Sequence, residues 1–231
     1  MGKRIIIQAR GHGGPRYRAR KRAFIFKIGY PIQEGNAQVL DIFHSAAHSA
    51  PLLKIKINNE IFFNPAFNKA CKGQEISISG NSGEGNILSL KNISAGTRIY
   101  NIERNPGDGG KMIRTAGSSA MLTKKHPYNK VSVLMPNKKE IILSGDCRAT
   151  IGEIAGGGRI HKPFITAGRK FYKMKARGKL WPRTSGVKMN IIDHPFGSGR
   201  GKRIKSKIVQ RNTPRGRRVG HIRPRRTGRR K

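Results

Sequence analysis

Lys130-Val131-Ser132-Val133-Leu134, a turn signal at Pro136-Asn137, and then Glu140-Ile141-Ile142-Leu143 form the stretch that decides the fold class of this chain. Val131 and Val133 alternate with polar residues, which is the two-residue period of a strand rather than the 3.6-residue period of a helix. Working outward, the strand pattern recurs in Gln38-Val39-Leu40-Asp41-Ile42-Phe43, Leu53-Lys54-Ile55-Lys56-Ile57, Glu75-Ile76-Ser77-Ile78-Ser79 and Arg98-Ile99-Tyr100-Asn101-Ile102. Asn58-Asn59, Gly80-Asn81-Ser82-Gly83 and Asn105-Pro106-Gly107-Asp108-Gly109-Gly110 punctuate these runs as turns. Short strands at close spacing predict small barrels. The break at Asn105 to Gly110 divides them into two groups, each long enough for about five or six strands. The expected fold is mainly β, with two small domains in tandem.

Charge narrows the function. Among 231 residues, 49 are Lys or Arg and 11 are Asp or Glu, a formal net charge of +38. A compact monomer with that charge repels itself, and the charge is normally held against a polyanion, so a free small-molecule enzyme is excluded as the economical reading. Residues 1–35 hold 9 basic and 1 acidic residue, and residues 171–231 hold 21 and 1, whereas residues 36–100 hold only 6 and 4. A body of ordinary composition is thus flanked by two basic arms, expected to order on their partner. The longest apolar clusters, Ile5-Ile6-Ile7 and Ile141-Ile142-Leu143, fall far short of the ~20 residues of a membrane span. Cys71 and Cys147 are isolated from each other, so neither a disulfide framework nor a Cys-based zinc site is indicated, and a reducing compartment fits best.

The N-terminal arm reads Arg10-Gly11-His12-Gly13-Gly14-Pro15-Arg16-Tyr17-Arg18-Ala19-Arg20-Lys21-Arg22. Guanidinium groups bind phosphate bidentately and stack on bases, Tyr17 adds a stacking face, and the preference for Arg over Lys favours RNA contact over a merely solvated tail or a nuclear-localisation patch. Gly156-Gly157-Gly158-Arg159 matches neither nucleotide-binding glycine pattern, and it suits a place where backbone lies on nucleic-acid backbone. A short helix is expected from Lys162 to Met174, opened by Pro163. Trp181, the sole tryptophan, stands in Leu180-Trp181-Pro182-Arg183, and stacking on a base is favoured over a contact with the second β-domain. His44 and His48 have the spacing of two helix-borne metal ligands but leave a strand and lack the Glu of the zinc motif, so they read as loop histidines. His194 directly follows Asp193, a carboxylate able to orient it, and a structural role is favoured over a general base.

Candidate RNA-binding residues are therefore Lys3, Arg4, Arg10, Arg16, Tyr17, Arg18, Arg20 and Arg22 in the first arm, and Arg159 and Lys162 beside the glycines. Arg169, Lys173, Lys175 and Arg177 lie on or beside the expected helix. Beyond it come Trp181, Arg183, Asn190, His194, Arg200, Lys202, Arg203, Arg217, Arg218, Arg225 and Arg226. No catalytic residue, metal ligand or cofactor is expected; Mg²⁺ enters only as a bridge between protein and phosphate. A DNA-packaging protein is the alternative, since Arg- and Gly-rich arms also suit minor grooves.

From end to end the chain resembles the family of the universal second protein of the large ribosomal subunit. The most specific stretch runs from Gly186-Val187-Lys188-Met189-Asn190 through Asp193-His194-Pro195-Phe196-Gly197, which is similar to that family's signature loop. Ala155-Gly156-Gly157-Gly158-Arg159, Lys162-Pro163, Ala167-Gly168-Arg169 and Trp181-Pro182-Arg183 occur in the family's order. Arg16-Tyr17-Arg18-Ala19, Gly216-Arg217-Arg218-Val219-Gly220 and Phe196 look like the archaeal and eukaryotic cytosolic branch. The pattern departs at Lys188, Ile191 and Ser198, where Ala, Pro and a glycine run are usual. The resemblance implies an OB-fold over 36–104 and an SH3-like barrel with a short following helix over 105–170, between a basic arm at 1–35 and a basic extension at 171–231. It also implies a cytoplasmic ribosomal protein that contacts large-subunit rRNA, neighbouring ribosomal proteins and, through an intersubunit bridge, the small subunit. Asp193, His194, Pro195, Phe196 and Gly197 would then stand near the peptidyl-transferase centre.

Overall fold

The computed structural model describes residues 2–200 and 208–226. They form two compact units, one spanning 21–166 and one joining the described residues up to 20 to those from 167 onward. The first unit is a β-body: β1 (Gly35–Phe43), β2 (Leu52–Ile57), β3 (Glu60–Pro65), β4 (Glu75–Ile78), β5 (Ile87–Ser89), β6 (Arg98–Tyr100), β7 (Ala120–His126), β8 (Lys130–Leu134), β9 (Glu140–Ser144) and β10 (Arg148–Ile151). They hydrogen-bond in the order β3-β2-β1-β4-β5-β10-β6-β7-β8-β9. All neighbours are antiparallel except β4 and β5, which meet in parallel at Ile78 and Ile87.

Two cores lie along this ribbon. Val39, Ile55, Ile57, Ile76, Ile78, Ile87 and Tyr100 build the first, and Leu88, Ile99, Ile102, Leu122, Val131, Val133 and Leu143 build the second. Ile87 and Leu88 are adjacent in β5, as are Ile99 and Tyr100 in β6, and each pair sends one side chain to each core. Opposite faces of successive strand residues are what allow one strand to serve two cores. The result is a mainly β architecture, an OB-fold barrel followed by an SH3-like barrel. Residues on both sides of the Asn105–Gly110 loop fill the second core, because β5 and β6 precede that loop and β7 to β9 come after it.

Each strand run read from the sequence is present, and β3, β5, β7 and β10 are added to them. In β3, Phe62 enters the first core while its neighbour Phe63 packs on the other face, 5.1 Å from Phe26 and 5.8 Å from Phe43 between ring centroids. In β10, Ala149, Thr150 and Ile151 are all buried. Strands covered on both faces lose the alternation that would reveal them.

Between the cores runs a buried polar seam. Glu103 is fully buried; its Oε1 accepts from Arg148 Nη2 at 3.0 Å and Nε at 3.2 Å and from Gly109 N–H at 3.0 Å, and its Oε2 accepts from Arg148 N–H at 2.8 Å and Gly107 N–H at 3.3 Å. Arg148 Nη1 donates to Pro31 O at 2.6 Å, and its guanidinium stands 5.3 Å from the Tyr30 ring centroid. Tyr30 donates to Asn101 O at 2.6 Å, and burial pushes its phenol well above the ordinary range. Asn64 donates to Thr150 and accepts from Asn101. The glycines at Gly107 and Gly109 thus give the loop a second use, because each turns an N–H toward the Glu103 carboxylate.

The second unit contains α1 (Ile6–Gly11) and α2 (Ala167–Ala176) and the short parallel pair β11 (Ile208–Val209) and β12 (His221–Ile222). The sequence reading, which keeps the first arm without secondary structure, misses α1. It forms because Gln8 Oε1 accepts the Ile5 N–H and Ile5 is buried. Helix α2 starts at Ala167 instead of Lys162. Thr166 precedes it, a residue type favoured at a helix start, whereas Pro163 remains outside the helix in irregular backbone. Lys3 N–H donates to Ile192 O at 2.9 Å, and a Cβ on Gly178 would lie 2.7–2.9 Å from the backbone of Tyr17 to Ala19. Through these contacts the two basic ends, separate arms in the sequence reading, come together in one unit.

Candidate nucleic-acid interface

The loop from Gly186 to Ser198 is tied by its own backbone. His194 N–H and Asp193 N–H both donate to Asn190 O, at 3.1 and 3.0 Å, Gly197 N–H donates to His194 O at 2.9 Å, and Ser198 N–H to Met189 O at 3.1 Å. A Cβ on Gly197 would fall 2.4 Å from Asn190 O, and one on Gly186 would fall 2.5–2.7 Å from three atoms of the His194 ring. Only glycine lets the chain close this far. Ser198, where a glycine run is usual in the resembled family, takes φ +76. Such a left-handed conformation costs a non-glycine residue roughly 1–2 kcal/mol.

His194 accepts the Phe196 N–H at Nδ1, 3.1 Å away. That bond uses the lone pair of Nδ1 and leaves the proton on Nε2, so the ring presents a donor. Its ring lies 5.2 Å from that of Phe196. Asp193, the neighbour expected to orient it, instead pairs with Lys3, Oδ1 to Nζ 3.7 Å. Desolvation lowers the His194 pKa from its ordinary value. A depressed folded-state pKa means that the neutral ring contributes stability above the unfolded value of ~6.5 and that the contribution is lost as pH falls through the folded value. Following the imidazole by NMR in the full chain is expected to give a midpoint below ~6.5. A midpoint above it would mean that the ring is charged against Asp193 after all.

Lys3, Arg4, Asn190 and Asp193 line one cleft of this unit, and Asn190 and Arg200 share a second with Lys188. Arg4 Nη1 lies 3.1 Å from His12 Nε2. Arg10 lies in the last turn of α1 and is exposed, as is Arg183. Arg169, Lys173 and Lys175 lie on α2, with Arg177 immediately after it. Tyr17 is partly buried between exposed Arg16 and Arg18, and Arg20, Arg22, Arg159, Lys162, Arg225 and Arg226 are exposed. Arg217 is partly buried, with Nη2 close to Gly2, and Arg218 Nε donates to Thr213 O at 2.9 Å. Trp181 is partly buried and meets the first arm in a cleft with Arg16, Arg18 and Arg20. Pro195 is exposed and Gly197 buried. Lys202 and Arg203 lie outside the described residues.

Two of the three glycines at 156–158 answer to protein packing. A Cβ on Gly117 would fall 2.2 Å from the Gly157 Cα, and Gly156, at φ +82, faces Ala116 and Pro51. Gly158 alone opens onto free space beside exposed Arg159. Sequence reasoning overlooked Phe171 and Lys188. The i, i+4 spacing of Phe171 and Lys175 on α2 is the signal that would have found the first, since it puts both on one helix face.

Composition sharpens the picture now that the two ends share a unit. Residues 1–20 and 167–231 contain 29 Lys or Arg and a single acidic residue, Asp193, while residues 21–166 contain 20 and 10. Of the net +38, +28 therefore sits on one unit, and its single carboxylate cannot neutralise it.

A family model for the C-terminal domain of ribosomal proteins L2 matches residues 83–216, more than half of the chain. Over the full length the chain is 41% identical to the large ribosomal subunit protein uL2 of Methanococcus maripaludis, covering 100% of both chains. It is 42% identical to the protein of that name from Archaeoglobus fulgidus, covering 99% of each, and 40% identical to that of Sulfolobus acidocaldarius, covering 100% of this chain and 99% of the relative.

Proposed function

The chain belongs to the uL2 family of large ribosomal subunit proteins, in its archaeal type, and from that premise we propose how its residues serve the particle. It is a structural constituent of the large subunit in the cytoplasm, held by rRNA and by neighbouring ribosomal proteins. Membership of this family leaves the DNA-packaging alternative without support.

The observation that carries the RNA contact is the unit with 29 cations and one carboxylate. A polyanion is needed to cancel that field, and single-stranded or folded RNA supplies phosphates together with bases on which Arg, Tyr and Trp stack. We read the unit of residues 1–20 and 167–231 as embedded in RNA and the two barrels within 21–166 as the bodies that dock on the RNA surface. Lys3, Arg4, Arg10, Arg16, Arg18, Arg20, Arg22, Arg159, Lys162, Arg169, Lys173, Lys175, Arg177, Arg183, Arg200, Lys202, Arg203, Arg217, Arg218, Arg225 and Arg226 meet phosphates, and Tyr17 and Trp181 meet bases. The loop from Asp193 to Gly197 faces the peptidyl-transferase region, where His194 Nε2–H donates to a phosphate or 2′-hydroxyl. This role is positional, not catalytic, because the lone pair a base would need is already engaged by Phe196. Support of subunit association, through a bridge to the small subunit, completes the proposal.

Sedimentation of cell extract at high salt tests it. The protein is expected to travel with intact large subunits, and recovery of the bulk of it as free protein or on genomic DNA would sink the proposal.

A further inference from the structure

Trp181 and Phe171 line a cleft of about 490 Å³ together with Arg16, Arg18, Arg20 and Lys175. All six residues belong to the unit formed by the two chain ends. Lys175 Nζ stands 5.7 Å from the centroid of the Phe171 ring, a cation beside the aromatic lining. Lys170 Nζ lies 5.1 Å from the Trp181 centroid, a second cation beside the aromatic lining. The volume falls within the ~300–1,000 Å³ of small-ligand sites.

Chemistry narrows the occupant. A phosphate alone gains nothing from two aromatic rings, and an apolar ligand gains nothing from three guanidinium groups and the two ammonium groups of Lys175 and Lys179. A planar uncharged ring joined on both sides to phosphates uses both features. A base inside a duplex keeps its faces covered by its neighbours, so the ring must come from an unstacked nucleotide. We propose that this cleft takes a single extruded base of the RNA, stacked on Trp181 and Phe171, with Arg16, Arg18, Arg20 and Lys175 on the flanking phosphates. The proposal rests on the RNA-binding reading above and adds to it a base-sized site with a preference for unpaired nucleotides.

Trp181 is the chain's one tryptophan, so intrinsic fluorescence reports from the cleft directly. The full chain is titrated with two RNA hairpins that are identical except for one bulged 2-aminopurine nucleotide. Expected are quenching of Trp181 by the bulged hairpin and affinity for it about tenfold or more above that for the perfect hairpin, in line with the worth of one base–aromatic stack. Trp181→Leu should abolish the preference, Trp181→Phe should keep most of it, and all three proteins should share one salt dependence. Equal affinity of the wild-type chain for both hairpins, or a preference that survives Trp181→Leu, overturns the cleft as a base site while RNA binding stands. Failure to bind either hairpin overturns the RNA-binding reading itself, and this proposal with it.

Discussion

Replacing Arg148 with Ala is expected to cost about 3–5 kcal/mol of folding stability, the usual penalty for leaving a buried charge without its partner. The Glu103 side chain is 0% exposed and that of Arg148 only 17%, so water cannot take over the lost bonds. Arg148 also donates to Pro31 O, and its guanidinium lies over Tyr30, so the variant unpins the segment that leads into β1 as well as the pair. For a chain of this size the loss corresponds to a fall in Tm of roughly 6–20 °C. Arg148→Lys keeps a charge but not the paired Nε and Nη2 donors, and should fall between the two. Replacing both Glu103 and Arg148 with Met should not restore the wild type. The N–H groups of Gly107, Gly109 and residue 148 would then be buried without an acceptor. Urea unfolding of the full chain measures all of these, and an Arg148→Ala midpoint within error of the wild type would show that the seam does not hold the barrels.

RNA affinity should collapse with salt. If about ten phosphates are met on single-stranded RNA, the log–log slope is about −7, and affinity falls by roughly 10⁴-fold between 50 and 200 mM salt. Deleting residues 201–231 removes 14 Lys or Arg and no acidic residue, so the slope should flatten markedly. Arg148→Gln makes a useful contrast, because that cation faces Glu103 rather than solvent and its removal should leave the slope unchanged. Binding of a nonspecific RNA measured across that salt range decides the matter. A deletion protein with the full-length slope would mean that the tail meets no phosphate.

The period of two was enough to find β1, β2, β4, β6, β8 and β9, because polar and apolar residues alternate in sequence along most of these runs, even in β8, where Ser132 is buried between Val131 and Val133. It failed for β3 and β10, where Phe62 and Phe63 or Ala149 to Ile151 are covered on both sides. Where α2 starts is decided by whether Thr166 or Pro163 heads the first turn, a local competition that composition cannot rank.

Charge, strand period and turn chemistry are properties of neighbours along the chain. Through them the order of residues dictates a mainly β body, a polyanionic partner and a glycine-bearing loop ending at Asp193-His194-Pro195-Phe196-Gly197. Features that join residues far apart in sequence come from folding in three dimensions. It set Glu103 against Arg148 and gave Asp193 to Lys3 and His194 to the Phe196 N–H. It also brought Arg16, Arg18 and Arg20 to Trp181 across more than 160 residues of chain. Two cores share β5 and β6 for a related reason, since a strand's alternating faces say that two environments exist but not which other strands will fill them.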